Sequence, residues 1–468
     1  MMAIGWAALM TIAGITLARR PLQACIAILW VSALQNSLLP ALFHLGAVDA
    51  PTARVLLVFK DLILLLTLLT LSYQAPSDLA TALRRLWPAT MLWGLLFLYL
   101  LLPIGPFLTA RLIGLRYLGS PALLLLCGWM AARTERDLQR LLRTMIMITV
   151  VAAGFGLVER YALPITFWSD VIGEGDYLLN VKGLQPYLNV IGGLNANHFA
   201  FGLRRLVTVY GDALSAGSNL ALGTMLLLSL GLKSSNTHAK HTMLAWAAVS
   251  AIATLATVSR EAVLTVVGSG TVVLVLHRRH IALRTWGLLL VLALLSMGSA
   301  AVLEIGSQVR LAFETLTSLE YGSTRVHLLY LVTGAAVVSA LPLGTGLGTS
   351  GFWSRSLFEL STPGVGESAY FSIATQVGWT GVVLLACMLF QVARQLNQAR
   401  RTVALDGSAT ALLAVVCVRF ILSLFSENLF AFTGSAALFV LAGATLRAAS
   451  SATQDSGLGV GLPATTRA

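Results

Sequence analysis

The chain has 468 residues, of which 57% are hydrophobic and only 11% charged, with a mean hydropathy of +0.83. A soluble chain of this length would be about a quarter charged, so a soluble domain is excluded, and apolar runs recurring from end to end point to a polytopic membrane protein. Lipid offers backbone groups no partner, so the runs are read as helices; the strand alternation of an outer-membrane barrel is absent. The net charge of +12 sits mostly in short loops, where it sets topology rather than marking a nucleic-acid binder.

Thirteen spans are expected, at about 3–17, 22–39, 55–73, 89–103, 117–132, 144–158, 213–232, 243–257, 262–277, 285–303, 369–390, 409–425 and 430–446; twelve or fourteen remain open. The first has no leading positive region and reads as a span, not a cleaved signal. The second holds Cys25; with Cys127, Cys387 and Cys417 it lies in an apolar run without metal-ligand spacing. Alternate loops carry the basic residues: Arg19-Arg20, Arg84-Arg85, Arg133 to Arg143, Lys233 and Lys240, Arg278-Arg279 with Arg284, and Arg394 with Arg400-Arg401. That side is predicted cytoplasmic, with an external N-terminus and an internal C-terminus. The stretch RTERDLQRLLRT before 144–158 reads as a solvated or interfacial helix. Two external segments are long, 159–212 and 304–368, and long loops of this kind carry function; the second has room for a re-entrant helix. Residues 447–468 are expected to form a cytoplasmic, disordered tail.

Ionisable residues at membrane depth are the first functional candidates. Lys60 and Asp61 sit side by side in the third span, where they point about 100° apart. They read either as structural partners of other helices or, for Lys60, as a contact to an anionic headgroup. Arg419 lies about two turns from Ser426-Glu427-Asn428 and reads as an interhelix pair or a functional cation. Ser259, Arg260 and Glu261 form nearly the whole link between two apolar helices, which places Arg260 at the outer face. Arg325 and His327 open an apolar stretch, and Gly344, Gly346 and Gly348 follow Pro342 as a flexible turn, suited to close backbone approach to a helix or to a diphosphate. No second His or acid stands at a metal spacing from His327. Glu367 precedes the helix starting at Ala369, where an acid either caps the helix or acts chemically.

Taken in order, Arg205 to Asp212 (RLVTVYGD), Ser259 to Ala262 (SREA), Ser323 to His327 (STRVH), Pro342 to Gly348 (PLGTGLG) and Glu367 to Gly381 (ESAYFSIATQVGWTG) resemble the motifs of the O-antigen ligase/polymerase superfamily of bacterial inner-membrane glycosyltransferases. The resemblance covers roughly residues 120 to 440. It implies an all-α, GT-C-like fold of about 12–14 transmembrane helices, a periplasmic active site, no metal and no cofactor. The implied donor is a glycan on undecaprenyl diphosphate. The family's two functional arginines fall on Arg260 and Arg325, and two guanidiniums suit a metal-free diphosphate clamp. Arg205, Asp212, His327, Gly344, Gly346, Gly348, Ser368 and Lys60 complete the expected substrate-binding set. Ligases of this family carry a histidine where this chain has Glu367. The substitution turns the expectation toward a polymerase with Glu367 as general base, with His327 as the alternative base.

The leading expectation is therefore an inverting polysaccharide polymerase, of O-antigen or exopolysaccharide, that acts on a lipid-linked acceptor amid membrane lipid, alongside a flippase and a chain-length regulator. A ligase delivering glycan to lipid A-core or another acceptor is the first alternative. A lipid-linked oligosaccharide flippase is the second, although no internal repeat of the transporter kind is visible.

Overall fold

The structure is a computed structural model, and it describes residues 2–183, 198–200, 203–277, 322–351 and 368–457. Among them run sixteen α-helices: α1 (Met2–Ala18), α2 (Pro21–His44), α3 (Ala50–Leu57), α4 (Phe59–Gln74), α5 (Pro76–Arg85), α6 (Trp87–Leu101), α7 (Leu108–Ala131), α8 (Glu135–Tyr161), α9 (Glu174–Asn180), α10 (Ala213–Lys233), α11 (Thr237–Ala256), α12 (Arg260–His277), α13 (Gly322–Ala340), α14 (Ala369–Ala399), α15 (Asp406–Leu422) and α16 (Phe432–Gly457). The described β-structure is one hairpin of two-residue strands, Phe199–Ala200 with Leu203–Arg204. Counting α3 and α4 as one span, eight described helices are long and apolar enough to cross a membrane by length and composition. The protein is a helical, multi-pass membrane protein.

Twelve of the thirteen expected spans fall on helices; 285–303 lies outside the described residues. The boundaries need correction. Residues 55–73 break at Val58, between α3 and α4. Helix α7 begins at Leu108 rather than 117, which brings Arg111 and Arg116 into the bundle. The stretch RTERDLQRLLRT is no separate helix. It leads into and forms the first turns of α8, where the Thr134 hydroxyl accepts from the Asp137 amide (3.2 Å) and the Asp137 carboxylate accepts from the Thr134 amide (3.0 Å). A capping box of this kind nucleates a helix that the apolar residues beyond then continue. The expected disordered tail also begins too early, because α16 continues through Gly457.

Helices α10 and α16 form the centre. Helix α10 packs on α8, α11, α12, α15 and α16, while α16 packs on α7. Small residues allow the closest crossing: a Cβ on Gly128 of α7 would lie 2.1 Å from the Val440 carbonyl oxygen, and one on Gly443 of α16 2.1 Å from that of Leu125. In lipid, helices associate through such close packing, since the hydrophobic effect drives insertion rather than contact between them.

Among the described residues, members of the basic loops meet at one end, in keeping with their alternation. Arg447 pairs with Asp78 (3.0 Å), and Arg85 donates to Ser450 Oγ (2.9 Å). Gln391 and Gln395 donate to the Arg85 carbonyl (2.9 and 3.1 Å), and Lys233 pairs with Asp406. The described candidates Arg205, Asp212, Arg260 and Ser368 lie at the opposite end, where the α11–α12 and α15–α16 links meet the starts of α10 and α14.

Candidate functional site

The last turn of α8 anchors this end. Glu159, fully buried, accepts from the amides of Val207 (3.1 Å) and Thr208 (3.3 Å) and pairs with Arg204 (3.3 Å). The segment it holds lies against the end of α11. Leu206 N–H donates to the Ala256 carbonyl (2.9 Å), which also accepts from Arg160, and Arg205 Nε donates to the Thr257 carbonyl (2.9 Å). The next residue, Val258, has φ of +51°. That is a costly conformation for a β-branched side chain, sustained only where the surroundings over-determine it. The strained turn delivers Ser259, whose hydroxyl accepts from the Ala262 amide (3.4 Å), and starts α12 at Arg260. Asp212 caps α10 through the amides of Leu214 (3.2 Å) and Ser215 (2.9 Å). Burial lowers the pKa of Arg205, opposed by Asp212. Burial likewise lowers that of Lys182, opposed by Glu174 and Asp212.

A second group of ionisable side chains lies beside this link. Glu261 accepts from Ser426 Oγ (2.7 Å) and faces the buried Arg419 guanidinium (3.9 Å), whose Nη1 donates to the Gly434 carbonyl (3.1 Å). Arg419 thus takes the interhelix pairing role, and its acid comes from the SREA motif. Glu427 is buried and accepts from the Tyr117 hydroxyl (3.4 Å), while the Tyr117 ring packs on Phe430 with centroids 5.6 Å apart. Asn428 donates to Ser218 and to the Leu214 carbonyl. Three consecutive residues after α15 therefore tie α12, α7 and α10 together.

The third part is a helix and returning loop packed along α14, within the 304–368 segment that was expected to have room for a re-entrant helix. Gly334 of α13 sits against Phe371, and Trp379 N–H donates to the Pro342 carbonyl (3.2 Å). Helix α13 therefore runs alongside α14 to about ten residues, or ~15 Å, from the α14 start. The chain then reverses and climbs back until Gly351 faces Ser372. Non-helical backbone at such depth survives only when protein supplies its partners. A break in α14 supplies them. Val377 and Gly378 leave helical geometry (Gly378 φ 74°, ψ −175°), which releases the Thr375 and Gln376 carbonyls from their helical donors. The loop replaces those donors: Thr345 N–H donates to Thr375 (2.7 Å) and Gly346 N–H to Gln376 (3.0 Å). The buried Gln376 side chain accepts from Gly348 N–H (2.7 Å) and donates to the Ser350 carbonyl (3.1 Å).

The expected site residues distribute as follows. Arg205 and Arg260 both lie at the α11–α12 link, Arg205 through its bond to the Thr257 carbonyl, and Arg260 is half-buried. Asp212 is a helix cap, as is Ser368, whose hydroxyl accepts from the Phe371 amide (3.4 Å) at the start of α14. Gly344, Gly346 and Gly348 pack on the backbone of Gln376–Gly378, Gly105 and Ala110 respectively, so of the two roles left open the close approach is to protein. Lys60 is buried, donates to Gln35 and to the Leu57 carbonyl (3.3 Å), and lies over the Phe432 ring. It faces the bundle interior, which corrects the headgroup reading. Its neighbour Asp61 pairs with Arg116 of α7 (2.8 Å). Arg325 and His327 belong to α13 by backbone, while their side chains and the whole of Glu367 lie outside the described residues.

Glu159, Gln376 and Tyr117 escaped the sequence reading. Glu159 and Tyr117 stand at predicted span ends, and Gln376 inside a motif read for other residues; only an inside-facing polar residue in an apolar run would have marked Gln376. Glu427 was noticed only as a neighbour of Arg419. Among the described residues no group of three His, Cys, Asp or Glu side chains gathers to hold a metal ion. No family model matches the chain, and no curated protein matches it.

Proposed function

We propose that the protein is a membrane glycosyltransferase that moves an undecaprenyl-diphosphate-linked glycan onto a sugar hydroxyl, acting as a polysaccharide polymerase. The observation that carries this reading is Arg260, held half-buried by a strained turn that Arg205 clamps, at the end opposite the basic loops. A guanidinium so positioned needs no reorganisation to meet charge developing on a diphosphate leaving group. By the positive-inside rule the basic end is cytoplasmic and the site periplasmic, in keeping with a GT-C-like arrangement. Arg325 is the second clamp residue, as the family resemblance implies. A ligase using lipid A-core as acceptor needs the same donor chemistry and differs only in the hydroxyl it receives.

A second reading, a lipid-linked oligosaccharide flippase, draws on the broken α14 and its re-entrant partner, since transporters build sites from discontinuous helices. Liposomes containing the purified protein and lipid-linked repeat units separate the two. Polymerisation without net transfer of lipid-linked units between leaflets supports the enzyme; translocation without glycan growth supports the flippase. For the enzyme, Arg260→Ala is expected to lower chain growth by about 10²-fold or more. Full activity in Arg260→Ala and Arg325→Ala overturns the site.

A further inference from the structure

Ser372 carries a hydroxyl with no hydrogen-bond partner among the described residues, although the residue is fully buried. It lies on α14 one turn beyond the Ser368 cap, facing Gly351 of the returning loop. Gly351 (φ +101°) leaves clear a point that any other residue would fill. A Cβ there would lie 3.3 Å from Ser372 Oγ and 3.6 and 3.7 Å from the two carboxylate oxygens of Glu427. Three oxygens from α14 and the α15–α16 link thus converge on one small space, which the glycine loop borders. An orphaned buried hydroxyl is costly to keep, and here its surroundings match the needs of an incoming sugar hydroxyl: one carboxylate to accept a proton and one hydroxyl to donate to the oxygen that loses it.

We propose that Glu427 is the general base for the acceptor hydroxyl and that Ser372 holds the acceptor oxygen beside it; this rests on the glycosyl-transfer reading above. In the reaction the acceptor O–H bond breaks and its proton passes to the Glu427 carboxylate. The acceptor oxygen forms a new C–O bond at the anomeric carbon. The bond from that carbon to the diphosphate breaks, and its electron pair leaves on the diphosphate oxygen, which Arg260 stabilises. Glu427 then returns the proton to water. The proximity of Glu261 and Arg419 to the same link couples the base to the helix that starts with Arg260.

The test uses the full-length protein in liposomes with lipid-linked repeat units, with donor binding followed separately using undecaprenyl diphosphate. Glu427→Gln is expected to lose about 10²- to 10⁴-fold in turnover while still binding undecaprenyl diphosphate, and Glu427→Asp to recover part of the rate. Ser372→Ala is expected to raise the acceptor KM by about tenfold with a smaller change in kcat, and it serves as the independent probe if Glu427→Gln fails to fold. Full turnover in Glu427→Gln overturns the proposal, as does an unchanged acceptor KM in Ser372→Ala. Loss of turnover in Glu367→Gln beside full activity in Glu427→Gln assigns the base to Glu367 and overturns it too. Absence of any glycan transfer by the wild-type protein overturns the glycosyltransferase reading itself, a result distinct from failure of the residue assignment.

Discussion

The two ends of the bundle use charge in opposite ways. At the basic end, Lys233–Asp406 and Arg447–Asp78 are single pairs between side chains that water still reaches. Their contribution to stability is small, and their use is to orient the chain in the membrane. At the other end Glu159, Arg419 and Glu427 are buried, and the first two bind backbone groups as well as side chains. There charge specifies geometry: removing one partner leaves a backbone amide or carbonyl without its bond at a depth where water cannot compensate.

The contrast can be broken by substitution. The largest effect is expected at Gly378, where φ 74° and ψ −175° fall in a region open essentially only to glycine, and a Cβ would lie 2.3 Å from the Pro342 carbonyl oxygen. Gly378→Ala should cost about 4 kcal/mol, adding backbone strain to overpacking, and should appear as a lower melting temperature in detergent. Glu159→Ala comes next. It strands two buried amides and takes the carboxylate from Arg204, which keeps its bonds to the Leu163 and Pro164 carbonyls, for a loss of about 3 kcal/mol, and proteolysis near 204–208 should rise with it. At the basic end Asp406→Asn should cost no more than about 1 kcal/mol. A loss as large as that of Glu159→Ala in the same melting experiment would erase the distinction between the ends.

The smallest effect concerns Asp49, the cap of α3. Hydrogen bonds from Thr52 lower its carboxyl pKa below the ordinary value of 3.8. A depressed folded-state pKa contributes stability that is present above the unfolded value and lost as pH falls through the folded one. Melting temperatures measured from pH 5 downward should therefore fall less steeply in Asp49→Asn than in the wild type. Identical slopes would remove Asp49 from the acid response.

Much of the helical framework could be read in the chain because its causes are local. Apolar run length and the alternation of arginines each act within a few residues, so the approximate span positions could be read, whereas the Thr134–Asp137 cap that joins RTERDLQRLLRT to the apolar part of α8 was missed. The start of α7 was misplaced because Arg111 and Arg116 look like membrane-edge charges until Arg111 is seen donating to the carbonyls of Leu100 (3.3 Å) and Leu102 (2.7 Å) and Arg116 pairing with Asp61. The glycines of PLGTGLG were legible as sites of close approach, but their partner was not.

What the sequence by itself determined is which segments are helical, which loops share an end, and that arginine and glycine motifs cluster away from the basic loops. These follow from solvation and local conformation, which short stretches encode. Only the tertiary structure decided that the broken backbone at Val377–Gly378 receives the amides of Thr345 and Gly346, and that Tyr117 meets Glu427. It also decided that Ser372 is left without a partner among the described residues. Each depends on groups far apart in the chain satisfying one another in a medium that offers no other partner, and no local pattern records that.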